Sequence, residues 1–366
     1  MRLSLPFALL SLLSLTVASP VRRASTCNGS PALCSRLYSN VTFAGAHNSY
    51  AIAPSAQTNA GANQNVSLSF QLDMGVRLLQ SQAHASGNSS ATGAGVDLCH
   101  TSCSIFQGGA LEAYLSQVSS WVSSNPSEVL TLLIVNSDAL PASRFAQAFE
   151  STGLASKVYN PTATGAATNG VVAKSAWPTL GALVDAGTTV VVLLSSGADT
   201  SSVGYLLPQF ANVWETPYDQ TSVPFSCSVD RIDSSSTSSN LMYLSNAYLD
   251  EALFGNIVIP AVASLGDTNS ESRQLENAYA CAGTHGTAPN FLLSDYSQMG
   301  EYGVMKAAAR LNGVEYTEPT SSPTSRGSGS GSGSGSSSGG SNGAATSPRS
   351  LAAMAMGAAG VALLTL

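Results

Sequence analysis

Three stretches decide the fold: Val41-Thr-Phe-Ala-Gly-Ala-His47-Asn48-Ser49, Gly75-Val-Arg77-Leu-Leu-Gln80-Ser-Gln82-Ala-His84 and Val96-Asp97-Leu98-Cys99-His100-Thr-Ser-Cys103. Each starts as a short apolar run and ends in side chains that carry protons or hydrogen bonds. Read as β-strands, their side chains alternate between two faces. Val41, Phe43, Gly45 and His47 then share a face, as do Val76, Leu78, Gln80, Gln82 and His84, and again Val96, Leu98 and His100. Apolar residues lie deep and polar ones at the carboxyl end, which is how a parallel α/β barrel sets a site above a packed interior. Arg77 falls on the face opposite Gln80, where a structural role is expected.

The flanking sequence alternates helical and strand patterns. Gln64–Gly75 has the spacing of a short helix, and Ser86–Gly95 is a Gly/Ser/Ala loop. Gly109–Ser124 puts Leu111, Tyr114, Leu115, Val118 and Val122 on one helical face, and Asn125-Pro126 stops it. Val129–Val135 and Thr188–Leu194 are nearly continuous apolar runs, as strands buried on both faces are. Ala142–Ser151 and Val304–Leu311 read as helices, while the pattern blurs between Val203 and Asp250. Phe291, Leu293 and Asp295 repeat the rule of apolar depth and polar exit. The expected class is α/β: one distorted (β/α)8 TIM-type barrel over residues 24–316, since about 290 residues suit one such domain.

The two ends read as addresses. Met1-Arg2, the apolar Leu5–Val17 and the small-residue exit Val17-Ala18-Ser19 form a signal peptide over residues 1–19. Arg22-Arg23 is either a processing site or an incidental pair. Residues 317–342 are Ser/Gly-rich with little to bury, so a disordered stalk is expected. Ser341-Asn342-Gly343-Ala344, a polar spacer through Ser350 and the sixteen mostly apolar residues Leu351–Leu366 follow the order of a GPI-attachment signal. Asn342 is the expected attachment site, with 343–366 removed. A transmembrane helix is the other reading, but sixteen Ala/Gly-rich residues are short for a bilayer. The expected location is therefore extracellular: the outer face of the plasma membrane through a GPI lipid, or the cell wall.

Removing both ends takes away Arg2, Arg22, Arg23 and Arg349 but no acid. The 14 basic residues fall to 10 against 21 acidic, and the formal charge goes from −7 to −11. With no basic run, nucleic acid is not an expected partner, and electrostatic docking on an anionic membrane is unfavourable. Six cysteines in a secreted chain imply disulfides. Of the 15 possible pairings, proximity favours Cys27–Cys34 and Cys99–Cys103, leaving Cys227–Cys281. Sequons stand at Asn28, Asn40, Asn65 and Asn88 as glycosylation candidates.

The ordered set Gly-Ala-His-Asn-Ser, Gly-Val-Arg-Leu-Leu-Gln and Leu-Cys-His resembles the X-region of phosphatidylinositol-specific phospholipase C. Asn125-Pro-Ser-Glu128, Phe291-Leu-Leu-Ser-Asp295-Tyr296 and the segment Trp214-Glu215-Thr-Pro-Tyr218-Asp219 fit it too. The resemblance spans Cys27 to Gly313 and is nearest to secreted fungal phospholipase C-like phosphodiesterases. It implies that His47 is the base that deprotonates the inositol 2-hydroxyl. His100 would be the acid that protonates the diacylglycerol oxygen, and Asp295 the carboxylate that orients the base. Imidazoles suit both proton transfers because they titrate near neutrality.

This chain departs from the family where charge is wanted. Bacterial members carry an aspartate and an arginine on the second strand and animal members carry acids that hold calcium, whereas here Gln80 and Gln82 stand there. Asn48 matches the calcium-binding asparagine of animal members, and the remaining position is Val135 or Asn136. Neutral amides hold calcium poorly, so no cofactor is expected. Asn48, Gln80, Gln82 and His84 are the expected substrate-binding residues. His84 is either the replacement cation or a loop residue beyond the strand. Tyr50, Trp214 and Tyr218 are either cleft or core, and His285 is expected to be exposed in a Gly-rich loop.

Two functions follow as expectations. One is a monomeric phosphoric diester hydrolase of lipid metabolism, acting on an inositol phospholipid or another phosphodiester. The other is a barrel of lapsed chemistry that serves as a cell-surface binding or wall protein. The address signals make their own prediction. Deleting Leu351–Leu366 should move the protein from the membrane fraction of expressing cells to the medium, and retention in membranes would rule the anchor out.

Overall fold

A computed structural model describes residues 23–54, 59–87, 93–254 and 257–320. The signal peptide, Asn88, the stalk beyond residue 320, Asn342 and the apolar tail lie outside the described residues.

Among the described residues, eight parallel strands form one curled sheet: β1 (Phe43–Ala46), β2 (Leu78–Ala85), β3 (Leu130–Asn136), β4 (Val190–Leu194), β5 (Leu206–Pro208), β6 (Val213–Glu215), β7 (Met242–Asn246) and β8 (Phe291–Ser294). The hydrogen-bonded order is β6-β7-β8-β1-β2-β3-β4-β5. The barrel stays open between β5 and β6 among the described residues, and this is the distortion. Only four residues join these two strands, too few for a crossover helix. Asn212 plugs the seam instead, its Nδ2 donating to Pro208 O and Gly170 O, both at 2.9 Å. The helices are α1 (Leu68–Asp73), α2 (Leu111–Ser124), α3 (Ala142–Ser151), α4 (Leu180–Ala186), α5 (Leu265–Thr268), α6 (Glu271–His285) and α7 (Gly303–Leu311). No α-helix follows β5 or β6, which accounts for the blurred sequence pattern there.

Strand alternation divides the apolar residues into two cores. Phe43, Leu78, Leu133, Val191, Leu207, Val213, Leu244 and Phe291 fill the barrel. Ala44, Leu79, Leu132, Val192 and Leu292 point outward against the helices. Tyr38 and Trp177 close the base: their rings lie 4.8 Å apart, and the Tyr38 hydroxyl is 2.6 Å from Thr131 Oγ1. Gly45 is required near the mouth, because a Cβ there would meet Leu78 Cδ2 at 2.8 Å. The buried face of α2 is the expected one with Trp121 added. Gly109 and Ala110, expected in that helix, belong to an extended strand.

One expectation of topology is corrected. Val96–His100 is not a barrel strand. β2 overruns the rim, and Ala83–Ala85 pairs antiparallel with Leu98–Val96, which in turn pairs with Phe106–Ala110. A strand whose carboxyl end projects beyond its neighbours leaves open hydrogen-bonding groups, and the returning chain takes them. Val96 and Leu98 consequently pack in the outer core rather than inside the barrel.

The disulfides are Cys27–Cys34, Cys99–Cys103 and Cys227–Cys281. Of the sequons, Asn40 is exposed and Asn65 half-buried. The Asn28 side chain is engaged on both sides by Val129, donating to its carbonyl at 3.1 Å and accepting from its N–H at 2.6 Å.

Arg77 has the structural role expected of its outward face. Its Nε and Nη2 donate to Glu128 Oε2 at 2.9 and 2.6 Å, its Nη1 donates to Leu72 O and Val76 O, and it stacks over Trp121. Removing one partner of a largely buried pair leaves the other uncompensated. Arg77→Ala should therefore lower unfolding free energy by roughly 3 kcal/mol, read by urea denaturation. A change below about 1 kcal/mol would match an ordinary surface pair instead.

Candidate active site

The site sits at the carboxyl ends of the strands. His47 directly follows β1 and keeps its ladder, its N–H donating to Ser294 O at 3.0 Å. Asn48 then turns the chain at a φ of 39°, a conformation asparagine tolerates. The His47 ring lies against Asp295 at the end of β8, Nδ1 to Oδ1 at 2.9 Å. Its face stacks on Tyr248 at 4.4 Å. His100 arrives on the returning strand, 6.1 Å from His47 between ring centroids and nearly perpendicular to it. His100 Nδ1 is 2.8 Å from Gly61 O.

His47 and His100 share one cavity of about 360 Å³, whose walls include Gln80, Gln82, Asp219, Arg231, Asn246 and Tyr248. The two glutamines have defined orientations. Asn48 N–H donates to Gln80 Oε1 at 2.6 Å, and Thr101 N–H donates to Gln82 Oε1 at 2.9 Å. A backbone N–H can only donate, so both carbonyl oxygens are taken and both NH2 groups are left as donors.

A family model described as PI-PLC X 1 matches residues 33–312. The chain belongs to the PI-PLC X family. Two relatives come from Arthroderma benhamiae. PI-PLC X domain-containing protein 1 is 35% identical over 303 residues, covering 81% of this chain and 92% of that one. An uncharacterized secreted protein is 33% identical over 300 residues, covering 79% of this chain and 64% of that one, so the chain spans less than two thirds of this relative's length. The phosphatidylinositol-specific phospholipase C of Listeria monocytogenes has the same fold, with a TM-score of 0.50 at 13% identity over 76% of this chain and 95% of that one.

Not every expected residue of this PI-PLC X site reaches the cavity. Asn48 is fully buried behind His47, with Nδ2 3.2 Å from His47 Nε2. His84 is turned away: Nδ1 faces Asp138 Oδ1 at 3.2 Å, and it is not among the residues that line the cavity. Val135 rather than Asn136 reaches the wall, because the Asn136 side chain caps the loop at Leu140 and Ser196. Tyr218 lines the cleft while Tyr50 and Trp214 are core. His285 is corrected: it ends α6, half-buried, with its ring edge-on to Trp214 and Nε2 2.6 Å from Cys227 O.

Sequence reading missed Glu215, Asn246, Arg231 and Asn63. The first two obey the rule applied elsewhere, since Val213-Trp-Glu215 and Leu244-Ser-Asn246 both run from apolar depth to polar exit. Arg231 comes from the long β6–β7 connection. It pairs with Glu215 through Nη2 and lies 4.3 Å over the Tyr218 ring. Asn63 precedes α1, one residue ahead of the segment expected to be helical. Its Nδ2 donates to Asp295 Oδ1 at 2.8 Å.

Among the described residues, no three His, Cys, Asp or Glu side chains converge as metal ligands, and the side-chain oxygens of Gln80 and Gln82 are engaged by backbone N–H groups rather than open to a cation.

The two histidines are driven apart. Burial pushes His47 down, but the carboxylates of Asp295, Asp250 and Asp219 outweigh it and raise its affinity for a proton. Burial lowers His100, and the charge on His47 lowers it further. Burial and the Asp295 charge push Asp250 up to about 7. An NMR titration should place His47 above, and His100 below, the ordinary imidazole value of about 6.5. Asp295→Asn removes the nearest anion, so the His47 midpoint should fall. A midpoint that stayed in place or rose would discard this account.

Proposed function

We propose that the chain is a phosphoric diester hydrolase of the phosphatidylinositol phospholipase C type, acting on an inositol phospholipid or a related phosphodiester. The observation that carries this reading is the pair of histidines in one cavity, one backed by a carboxylate and one by a carbonyl. His47 Nε2 takes the proton of a hydroxyl next to the phosphate, and that oxygen attacks phosphorus. The phosphorus–oxygen bond to diacylglycerol breaks, His100 Nε2 protonates the departing oxygen, and a cyclic phosphate results. Asp295 balances the charge gained by His47, as an orienting carboxylate does in other base dyads. His100 must be protonated for this step although burial and His47 lower its proton affinity in the free site, and the diester's negative charge acts to raise it.

The walls support the substrate class. Gln80 and Gln82 offer neutral donors and Arg231 a charged one to non-bridging oxygens, where charge builds. Glu215, Asp219 and Asn246 offer acceptors suited to the hydroxyls of a polyol head group. Exposed apolar side chains stand in loops that follow strand carboxyl ends: Ile105, Tyr218, Val223, Val229 and Met299. Such a rim fits a lipid surface, and with a formal charge of −11 for the mature chain it favours an uncharged one. The reaction is read as cofactor-free and the protein as an extracellular, GPI-anchored monomer. The secreted relative from Arthroderma benhamiae supports the extracellular location. One observation favours a lapsed site instead: the Arg231 charge is held by Glu215 in a cavity that also carries Asp219.

The test is turnover of phosphatidylinositol vesicles and of a soluble inositol phosphodiester by the purified protein, with and without EDTA, with 31P NMR to detect cyclic product. His47→Ala and His100→Ala should each lose on the order of 10²- to 10⁴-fold in kcat/KM while remaining folded. Arg231→Ala, combined with Glu215→Gln so that no acid is left unpaired, should lose about 10²-fold. Activity retained in both histidine variants, or abolished by EDTA and restored by calcium, would overturn this mechanism.

A further inference from the structure

The residues 61–64, on the approach to α1, grip both histidines. Gly61 O accepts from His100 Nδ1 at 2.8 Å. Gln64 Nε2 donates to His47 O at 2.9 Å and reaches Ser294 O at 3.3 Å. Asn63 lies between them, 1% exposed, with its backbone pinned by hydrogen bonds to Ala51 O at 3.0 Å and from Tyr296 N at 2.7 Å.

The Asn63 side chain closes a ring of hydrogen bonds whose directions are all dictated from one end. A carboxylate only accepts, so the amide group 2.8 Å from Asp295 Oδ1 must be the Asn63 NH2. Asn63 Oδ1 then points the other way and accepts from Asn48 Nδ2 at 3.1 Å. That same Asn48 NH2 lies 3.2 Å from His47 Nε2. Two N–H groups cannot face each other, so Nε2 carries no proton. Asn63 Nδ2 also lies 3.3 Å from His47 Nδ1, because both converge on Asp295 Oδ1, which each reaches at a shorter distance. The single proton of the neutral ring sits on Nδ1 and is given to Asp295 at 2.9 Å.

We propose that Asn63 is a positioning residue: through Asp295 and Asn48 it holds neutral His47 in the Nδ1–H form, with Nε2 unprotonated. The same segment does the equivalent for His100, because Gly61 O takes Nδ1–H and leaves Nε2 to give or receive the transferred proton. The carboxylate alone would also favour Nδ1–H. Asn63 adds the second constraint, since without it the Asn48 amide is free to turn and offer its oxygen to an Nε2–H. Asn48 Oδ1 is buried and has no partner in the ring as it stands. The proposal rests on the reading of His47 as the base, and its readout does not require turnover.

The chain has four histidines, so long-range 1H–15N spectra of the imidazoles in the full-length protein are assignable with one His→Ala variant each. At a pH above the His47 midpoint, wild-type His47 is expected as Nδ1–H. Asn63→Leu, branched in the same way but without the amide, should convert His47 to a mixture of tautomers and leave His100 unchanged. If Asn63→Leu does not fold, Asn63→Ala carries the same expectation. Where turnover is present, kcat should fall on the order of 10- to 100-fold with KM nearly constant, as for a misaimed reactive group. Wild-type His47 found as Nε2–H, or an unmixed Nδ1–H signal in the folded variant, would overturn the inference. Failure of the wild type to cleave any diester would instead count against the proposed function, with the tautomer result still deciding this one.

Discussion

The Asp295 carboxylate is fully buried and can only accept hydrogen bonds, and the mouth of the barrel is arranged around that fact. A buried anion is costly unless donors meet it, and His47 Nδ1 and Asn63 Nδ2 both come to Oδ1. They arrive from different places, the end of β1 and the segment before α1. Asn269 holds the backbone carbonyl of Asp295 at 2.7 Å. The acid therefore does two things at once. It ties the first and last strands together above their ladder, and it sets which protons the neighbouring side chains must carry.

Below this layer the barrel is an ordinary packed interior, and above it the chain improvises. β2 continues past the rim and recruits the strand that bears His100, so the second histidine enters from a flap rather than from the barrel wall. Cys99–Cys103 and the hydrogen bond from Thr101 to Gln82 tie that flap down. The gap between β5 and β6 has the opposite consequence. A long irregular connection after β6 lies across the site and delivers Asp219 and Arg231 to the cavity.

The resulting cavity is lined from two sides. Gln80 and Gln82 of β2 stand on one, and Glu215, Asp219, Asn246 and the Arg231 guanidinium come from β6, β7 and the connection between them. The concentration of carboxylates near His47 also explains why its proton is hard to remove while that of His100 is easily lost. Two imidazoles of the same intrinsic chemistry are made unequal by what surrounds them.

Much of this was legible in the chain itself. Period-two alternation separated Phe43 from Ala44 and Leu78 from Leu79, and those residues do fall in different cores. Helical spacing found the buried face of α2, and the apolar-to-polar gradient marked His47, Gln80 and Asp295. Local pattern works there because a strand's two faces and a helix's stripe are properties of a few consecutive residues. It fails where the partner is remote. Nothing local says that Val96–His100 runs antiparallel, because direction is settled by the free edge of β2. Nothing local distinguishes His84, turned to Asp138, from Gln82, which lines the cavity two residues earlier on the same strand. Arg231 and Asn63 lie in stretches without period, and they matter only because the tertiary fold brings them to Glu215 and Asp295. The sequence alone determined which residues could do proton chemistry. Only the tertiary structure decided which nitrogen of each ring is free to do it, because a tautomer is set by hydrogen-bond partners that lie far away along the chain.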